Sequence, residues 1–241
     1  MISNKINNFI DVPFPSKGQE WQTKRSELIS EFITSERQFA QHLYHFINDY
    51  QVALEDAQKR NLIRQMPPVT TELFSKIQPI YQVTLMLLTD LNEVVLRSPN
   101  VAWDPATARI GASLVQLNSR ITTVYSNYAV TYTEGMNALQ QLFESEPNIN
   151  LAILQSQENV GITIFECLQA PMSHISLITD YELMLLEVTP REHNDRENLV
   201  SAYISTLPIA KTFHSLLVKQ DLLTLDKFNA QYPQFGLSNQ C

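Results

Sequence analysis

The sequence predicts an all-α fold, an elongated bundle of about six long helices in one domain. Three observations carry that expectation. Long stretches free of Pro and Gly place apolar residues at alternating spacings of three and four, the stripe of a helix pressed against partners. Only five of the 241 residues are Gly, about 2% against roughly 7% on average, which leaves little material for tight hairpins. Between residues 20 and 223 no segment alternates apolar and polar positions as a half-buried strand does.

Residues 1–18, with Pro13, Pro15 and Gly18, read as an irregular leader. From about Glu20 to Arg60 no Pro or Gly occurs, and Leu28, Phe32, Ser35, Phe39, Leu43, Phe46, Tyr50 and Ala53 form one helical stripe. A helix of about forty residues spans about 60 Å, longer than an ordinary compact domain needs. Pro67 and Pro68 precede a second segment, Thr70 to Arg97. Its stripe is Leu73, Phe74, Ile77, Tyr81, Leu85, Leu88, Leu91 and Val95, and Pro79 is expected to bend or break it near the start.

Ser98 to Pro105 reads as a loop, with Asp104 as N-cap and Pro105 in the first turn of the next helix. Residues 105–119 and 121–144 are expected as two further helices, the second displaying Val124, Tyr128, Tyr132, Met136, Leu139 and Phe143. Glu146, Pro147 and Asn148 end that run. A fifth segment, Asn150 to Val188, is interrupted at Gly161 and Pro171 and stopped by Thr189 and Pro190. Asn194 or Asp195 caps the last helix, Arg196 to about Leu223, with Pro208 inside it. The expected organisation is therefore a leader over 1–18, a helical domain over 19–223 and a tail over 224–241.

Composition narrows the function classes. Seventeen Lys plus Arg against 25 Asp plus Glu give a formal charge of −8, and no basic cluster occurs, so nucleic acid is not the expected partner. An apolar content of 44% excludes a disordered chain. Neither GxGxxG nor GxxxxGK[ST] is present, which removes the glycine-loop routes to nucleotide cofactors. Cys167 and Cys241 are the only cysteines, so neither a disulfide framework nor a cysteine zinc site is expected, and a reducing compartment fits. No secretory signal and no continuous apolar run of about 18 residues is present. A cytoplasmic or peripheral protein is expected.

Few residue groups point to chemistry. His42 and His45 stand three apart on one helix, yet no third ligand joins them, so they read as two polar helix residues and no metal or cofactor is expected. Ser173 and His174 are sequence neighbours and point about 100° apart on a helix, which rules out a nucleophile–base couple. Tyr125, Tyr128 and Tyr132 lack surrounding Lys or Arg and read as core rather than a stacking platform. Glu192, His193, Asn194 and Asp195 read as helix-capping chemistry. Glu31 flanks the first apolar stripe as a surface carboxylate.

Two blocks of residues add a resemblance. Glu31, Phe32, Ser35, Glu36, Phe39 and Leu43 follow the pattern ELxxTExxYVxxL, with Ser35 at the Thr position and Phe39 at the Tyr position. Leu168, Pro171, His174, Ile175 and Ile178, followed by Leu185, Leu186, Thr189, Pro190, His193, Asp195, Leu199 and Ala202, follow LIxPVQRIxRYxLLLxxLLKxTPxxHxDxxxLxxA without an insertion. Leu73-Phe74 and Ile110-Gly111 fall where LF and IG dipeptides stand between the blocks. The chain thus resembles, over about residues 22–220, the Dbl-homology domain of Rho guanine-nucleotide exchange factors, and is a divergent example.

The resemblance implies a Rho/Rac-family small GTPase as partner and exchange without covalent chemistry. In the family the glutamate of the first block engages switch I, and Glu31 matches it. Carried over position by position, the implied contact set is Glu31, Ser35, Ala170, Ser173, His174, Leu177 and Leu207. Several of these depart from the family. Ala170 replaces a common Lys, Ser173-His174 replace Gln-Arg, Leu177 and Ile178 replace Arg and Tyr, and Leu207 stands where a contact Asn is expected. The alternative is therefore an exchange-inactive scaffold that keeps the bundle and binds a GTPase or a cytoskeletal partner. Family members usually carry a pleckstrin-homology domain after the bundle. Residues 224–241 are too few for one, so the expectation is either that the chain is an excised fragment, with peripheral recruitment through a missing or separate domain, or that this member works without it.

Overall fold

A computed structural model of the chain describes residues 20–96 and 108–231. Helix α1 (Glu20–His45) passes through a π-helical turn, Phe46–Tyr50, into α2 (Gln51–Lys59), making one continuous rod. Then come α3 (Pro68–Ser75) and α4 (Ile77–Leu96), α5 (Gly111–Ser145), α6 (Pro147–Val160), α7 (Ile164–Val188) and α8 (Arg196–Gln231). Counting α1–α2 and α3–α4 as one rod each, six rods and no strand occur among the described residues. At 1.5 Å per residue the longest of them run for about 50–60 Å, which makes the bundle elongated.

The boundaries differ from the sequence expectations in several places. Helices α3 and α6 start at Pro68 and Pro147 rather than Thr70 and Asn150, because a proline is tolerated in a first turn. Pro79 is the third residue of α4, where its missing N–H has no acceptor to lose, so the break falls before it at Lys76. Helix α5 is single where two were expected, because Arg120 is no helix breaker. Pro171, expected to interrupt a helix, lies inside α7, which continues through it, whereas Pro208 lies inside α8 as expected. In α7 the Tyr128 hydroxyl donates to the Leu168 carbonyl, supplying a donor in the turn that the proline ring weakens. Helix α8 runs on to Gln231, past Leu223, because no Pro or Gly intervenes there. Gly161 does separate α6 from α7, at φ 77°, a conformation that glycine adopts without strain. The expected leader and the loop with Asp104 lie outside the described residues.

Contacts along the rods fix their directions. Phe32 meets Tyr181 and Phe39 meets His174, so α1 and α7 run antiparallel. Asn118 reaches the Ala202 carbonyl and Tyr125 meets Phe213, so α5 and α8 run parallel. Arg37 pairs with Asn92 and Tyr44 with Tyr81, which sets α4 antiparallel to α1. One continuous apolar core runs through the bundle, including Phe32, Leu43, Phe46, Leu73, Leu91 and Tyr128. The three tyrosines read as core are indeed buried, and burial pushes the phenols of Tyr125 and Tyr128 well above their ordinary range.

One end of the bundle is fastened by a buried ion pair. Arg25 of α1 donates to Asp195 Oδ2 at 2.7 Å, to the Ala108 carbonyl at 2.9 Å and to Thr189 Oγ1 at 3.4 Å. The Asp195 carboxylate also accepts the backbone N–H groups of Ile110 and Gly111, at 3.0 and 2.9 Å. Asp195 therefore acts as a cap, as its residue type suggested, but its carboxylate serves the start of α5. Gly111 is required by the close approach. A Cβ there would lie 2.8 Å from Asp195 Oδ1 and from Asn198 Cβ, and 2.9 Å from the Leu199 nitrogen.

Candidate functional site

The antiparallel packing of α1 on α7 lays an exposed strip of each helix side by side. On α1, Glu31 is exposed and Ser35 half-buried, while Phe32 and Glu36 turn into the bundle. On α7, Ser173 and Leu177 are exposed and Ala170 is half-buried against the core, with Pro171, His174, Ile175 and Ile178 inside. The helical period explains both sets, since 170, 173 and 177 share one face and 171, 175 and 178 the opposite one. Tyr181 joins the strips. Its ring lies 5.2 Å from that of Phe32, and burial together with the charges of Glu31 and Glu36 pushes its phenol up.

Six of the seven implied contact residues are exposed or half-buried. Leu177 is 38% exposed, and the Ser173 hydroxyl donates back to the Ala170 carbonyl at 3.1 Å. Leu207 is half-buried on α8, beside Thr206, whose hydroxyl reaches Glu182 Oε1 of α7 at 3.2 Å. The seventh is a correction. His174 is only 4% exposed and offers no contact to a partner. Its position on the stripe of Pro171, Ile175 and Ile178 turns it inward, a placement that helical spacing could have revealed.

Inside the bundle His174 joins three helices. Its Nε2 lies 2.8 Å from Glu36 Oε1 on α1, and its Nδ1 lies 2.7 Å from the Tyr125 hydroxyl on α5. The ring stacks on Phe39, with centroids 3.6 Å apart and planes 13° apart. Sequence reasoning missed this cluster, because no local spacing relates residues 36, 125 and 174. A second buried carboxyl, Glu182, accepts from Asn118 and Thr206, and burial pushes it up to about 8. Neither group reaches solvent, so neither is placed to do chemistry on a substrate.

The remaining candidates have local partners. His45 Nδ1 lies 2.7 Å from Asp49 Oδ2, and His42 is pulled down by burial and by the neighbouring His45. Among the described residues no group of three or more His, Cys, Asp or Glu is arranged to hold a metal ion. No helix among them is long and apolar enough to cross a membrane. The accessible chemistry of the α1–α7–α8 face is thus carboxylates, small hydroxyls and apolar side chains. Helix α7 contributes no Lys or Arg to it. Such a face is suited to binding a macromolecular surface.

Comparison with known proteins agrees with this architecture. No curated protein matches the chain. Among solved structures, the DH domain of FARP2 superposes with a TM-score of 0.71 at 16% identity, covering 90% of this chain and 99% of that one. That likeness concerns the fold. At the level of sequence, the RhoGEF domain family matches residues 28–214, from the middle of α1 well into α8 and across both strips of the exposed face. With so much of its length matched, the chain belongs to the RhoGEF domain family.

Proposed function

We propose that the protein is a guanine-nucleotide exchange factor for a Rho/Rac-family small GTPase, and that the α1–α7–α8 face is its contact surface. The observation that supports the reading is that Glu31, which by the sequence pattern matches the family's switch-contact glutamate, is exposed and lies within the matched region. Ser35, Ala170, Ser173, Leu177 and Leu207 are the further proposed contacts along the face, and His174 acts from beneath.

The mechanism is differential binding. A ligand shifts an equilibrium only by the difference between its affinities for the two states, so the face must hold the empty GTPase more tightly than the loaded one. Glu31 contributes by engaging switch I in a position that no longer supports Mg²⁺ and phosphate. A thousandfold acceleration of release corresponds to about 4 kcal/mol off the barrier, within reach of a few charge-assisted contacts at about 1.5–3 kcal/mol each. The same reading assigns the protein to the cytoplasm, with recruitment to membrane or cytoskeleton.

A second reading has its own support. Helix α7 lacks any Lys or Arg, Ala170 and Leu207 cannot replace the Lys and Asn contacts of the family, and the pattern suits a scaffold that binds a GTPase without emptying it. Release of a fluorescent GDP analogue from a panel of Rho-family GTPases separates the two. Acceleration by micromolar wild type, lost in Glu31→Ala, supports exchange. Binding to the empty GTPase without acceleration of any member supports the scaffold and sinks the exchange reading.

A further inference from the structure

The buried residues of α1 and α7 are mostly aliphatic or aromatic, among them Ile29, Ile33, Ala40, Met172 and Ile178. Apolar burial is non-directional and depends on area, so it does not by itself choose one axial offset between two helices. A slide of one turn moves a helix about 5.4 Å and exchanges one set of apolar contacts for another. Only a directional contact resists that slide.

Two directional contacts bear on this seam: Arg25 of α1 reaches Thr189 at the C-cap of α7, and midway along the two helices lies the Tyr125–His174–Glu36 chain. Both imidazole nitrogens are engaged, at 2.7 and 2.8 Å, and the flat stack on Phe39 leaves the ring no freedom to follow a sliding partner. With the proton on Nε2, the ring donates to Glu36 and accepts from the Tyr125 hydroxyl, so each donor has an acceptor. Arginine, which the sequence pattern has at this position, has no acceptor atom and could not take that hydroxyl proton. The chain is an expensive way to gain stability. Glu36 is fully buried and its Oε2 has no partner, and well-packed apolar side chains are often as stabilising as a buried pair, or more so. Buried polar groups kept at such a cost can act by specifying one register among several apolar alternatives.

We propose that Tyr125, His174 and Glu36 form a register clamp, holding α1 and α7 at the one offset in which Glu31 and Ser35 share an exposed face with Ser173 and Leu177. His174 is a positioning residue for that face. The functional meaning of the clamp rests on the exchange-factor reading, whereas its existence does not.

The test uses the full chain with Cys241→Ser and nitroxide labels at Gln38→Cys and Asp180→Cys, both exposed positions on the two helices; Cys167 is buried. The clamp is replaced as a unit by Glu36→Leu, Tyr125→Phe and His174→Phe, which leaves no orphaned polar group. Pulsed electron–electron resonance should give one narrow distance for the labelled parent. The apolar variant should stay helical and at least as heat-resistant, yet show a second population displaced by about 5 Å or a distribution broadened to that extent. An unchanged narrow peak in the folded variant overturns the clamp. Should the triple variant not fold, Glu36→Leu alone keeps the ring and removes the bond between α1 and α7. Broadening there supports the clamp and an unchanged peak overturns it.

A second arm reads the positioning role. Glu31→Ala should weaken binding to the nucleotide-free GTPase at least tenfold in the wild type and less than threefold in the apolar-clamp background. Equal penalties in the two backgrounds overturn positioning. A wild type that binds no GTPase sinks the exchange-factor reading, and the distance measurement then decides the clamp by itself.

Discussion

Asp195→Ala removes a carboxylate that serves three elements at once. In its absence Arg25 stays fully buried with no counter-ion, and the Ile110 and Gly111 N–H groups at the start of α5 lose their acceptor. Breaking a buried ion pair costs about 3–5 kcal/mol. Each orphaned N–H adds about 1–3 kcal/mol before water enters the vacated space. Because one carboxylate supplies all these contacts the terms overlap, and the expected loss is about 4–6 kcal/mol, a large part of the stability of an ordinary domain. Urea unfolding followed by far-ultraviolet circular dichroism reads it as a lower midpoint with an unchanged slope. Arg25→Met in the Asp195→Ala background should recover part of the loss by removing the stranded charge. Gly111→Ala should cost about 1–3 kcal/mol by overlap alone, since Asn198 and Leu199 belong to the rigid start of α8. A loss below about 1 kcal/mol for Asp195→Ala would refute the reasoning, because no buried cation can lose its partner so cheaply.

Two further predictions concern pH. Burial raises the Glu182 carboxyl from its ordinary 4.5 to about 8. The folded state therefore binds the extra proton, so the contribution of Glu182 to stability is fully present below pH 4.5, falls as pH rises toward 8 and then levels off, by up to about 5 kcal/mol. Glu182→Gln should flatten that dependence, measured as unfolding free energy from pH 5 to 9; a parallel curve would contradict it. Thr163 and Glu166 form a reciprocal capping box at the start of α7, with the Thr163 N–H donating to Glu166 Oε2 at 2.6 Å, and these bonds hold the Glu166 carboxyl below its ordinary range. The box is thus fully effective above the unfolded carboxylate range and is lost as pH falls through the folded one. Thr163→Ala should cost about 0.5–2 kcal/mol at neutral pH, and its penalty should shrink in acid, as read by thermal unfolding at pH 7 and pH 3.

The scaffold is more legible in the sequence than the site, and the reason lies in what is local. Long periodic stretches such as Phe32, Phe39, Leu43 and Phe46 declare a helix from a few neighbours, and all four are buried. Proline is ambiguous at the same range. Pro79 falls in a first turn that tolerates it, and Pro171 lies in a helix that a tyrosine from α5 supports. Glu31 is legible as an exposed carboxylate because it stands off the apolar stripe, and Ser173 and Leu177 are exposed for the same reason. At His174 the motif position misleads, because a position within a pattern does not say which way the helix turns the side chain. The capping box of Thr163 and Glu166 is legible in principle, as a Thr followed three residues later by Glu. The contacts joining Asp195 to Arg25 and Gly111, and His174 to Glu36 and Tyr125, link residues 49 to 170 positions apart. No pattern within a single helix encodes them. They emerge only once the helices are packed, although Ile110-Gly111, Thr189 and Asp195 all stand out as motif residues.

The most direct test of the account is the affinity of the protein for one Rho-family GTPase in its nucleotide-free and GDP-bound forms, compared between wild type and Glu31→Ala. The account predicts at least a hundredfold preference of the wild type for the empty form, about 2.7 kcal/mol, and collapse of that preference in Glu31→Ala with unfolding unchanged. Equal affinity for the two forms, or a preference that survives the loss of the carboxylate, would contradict it.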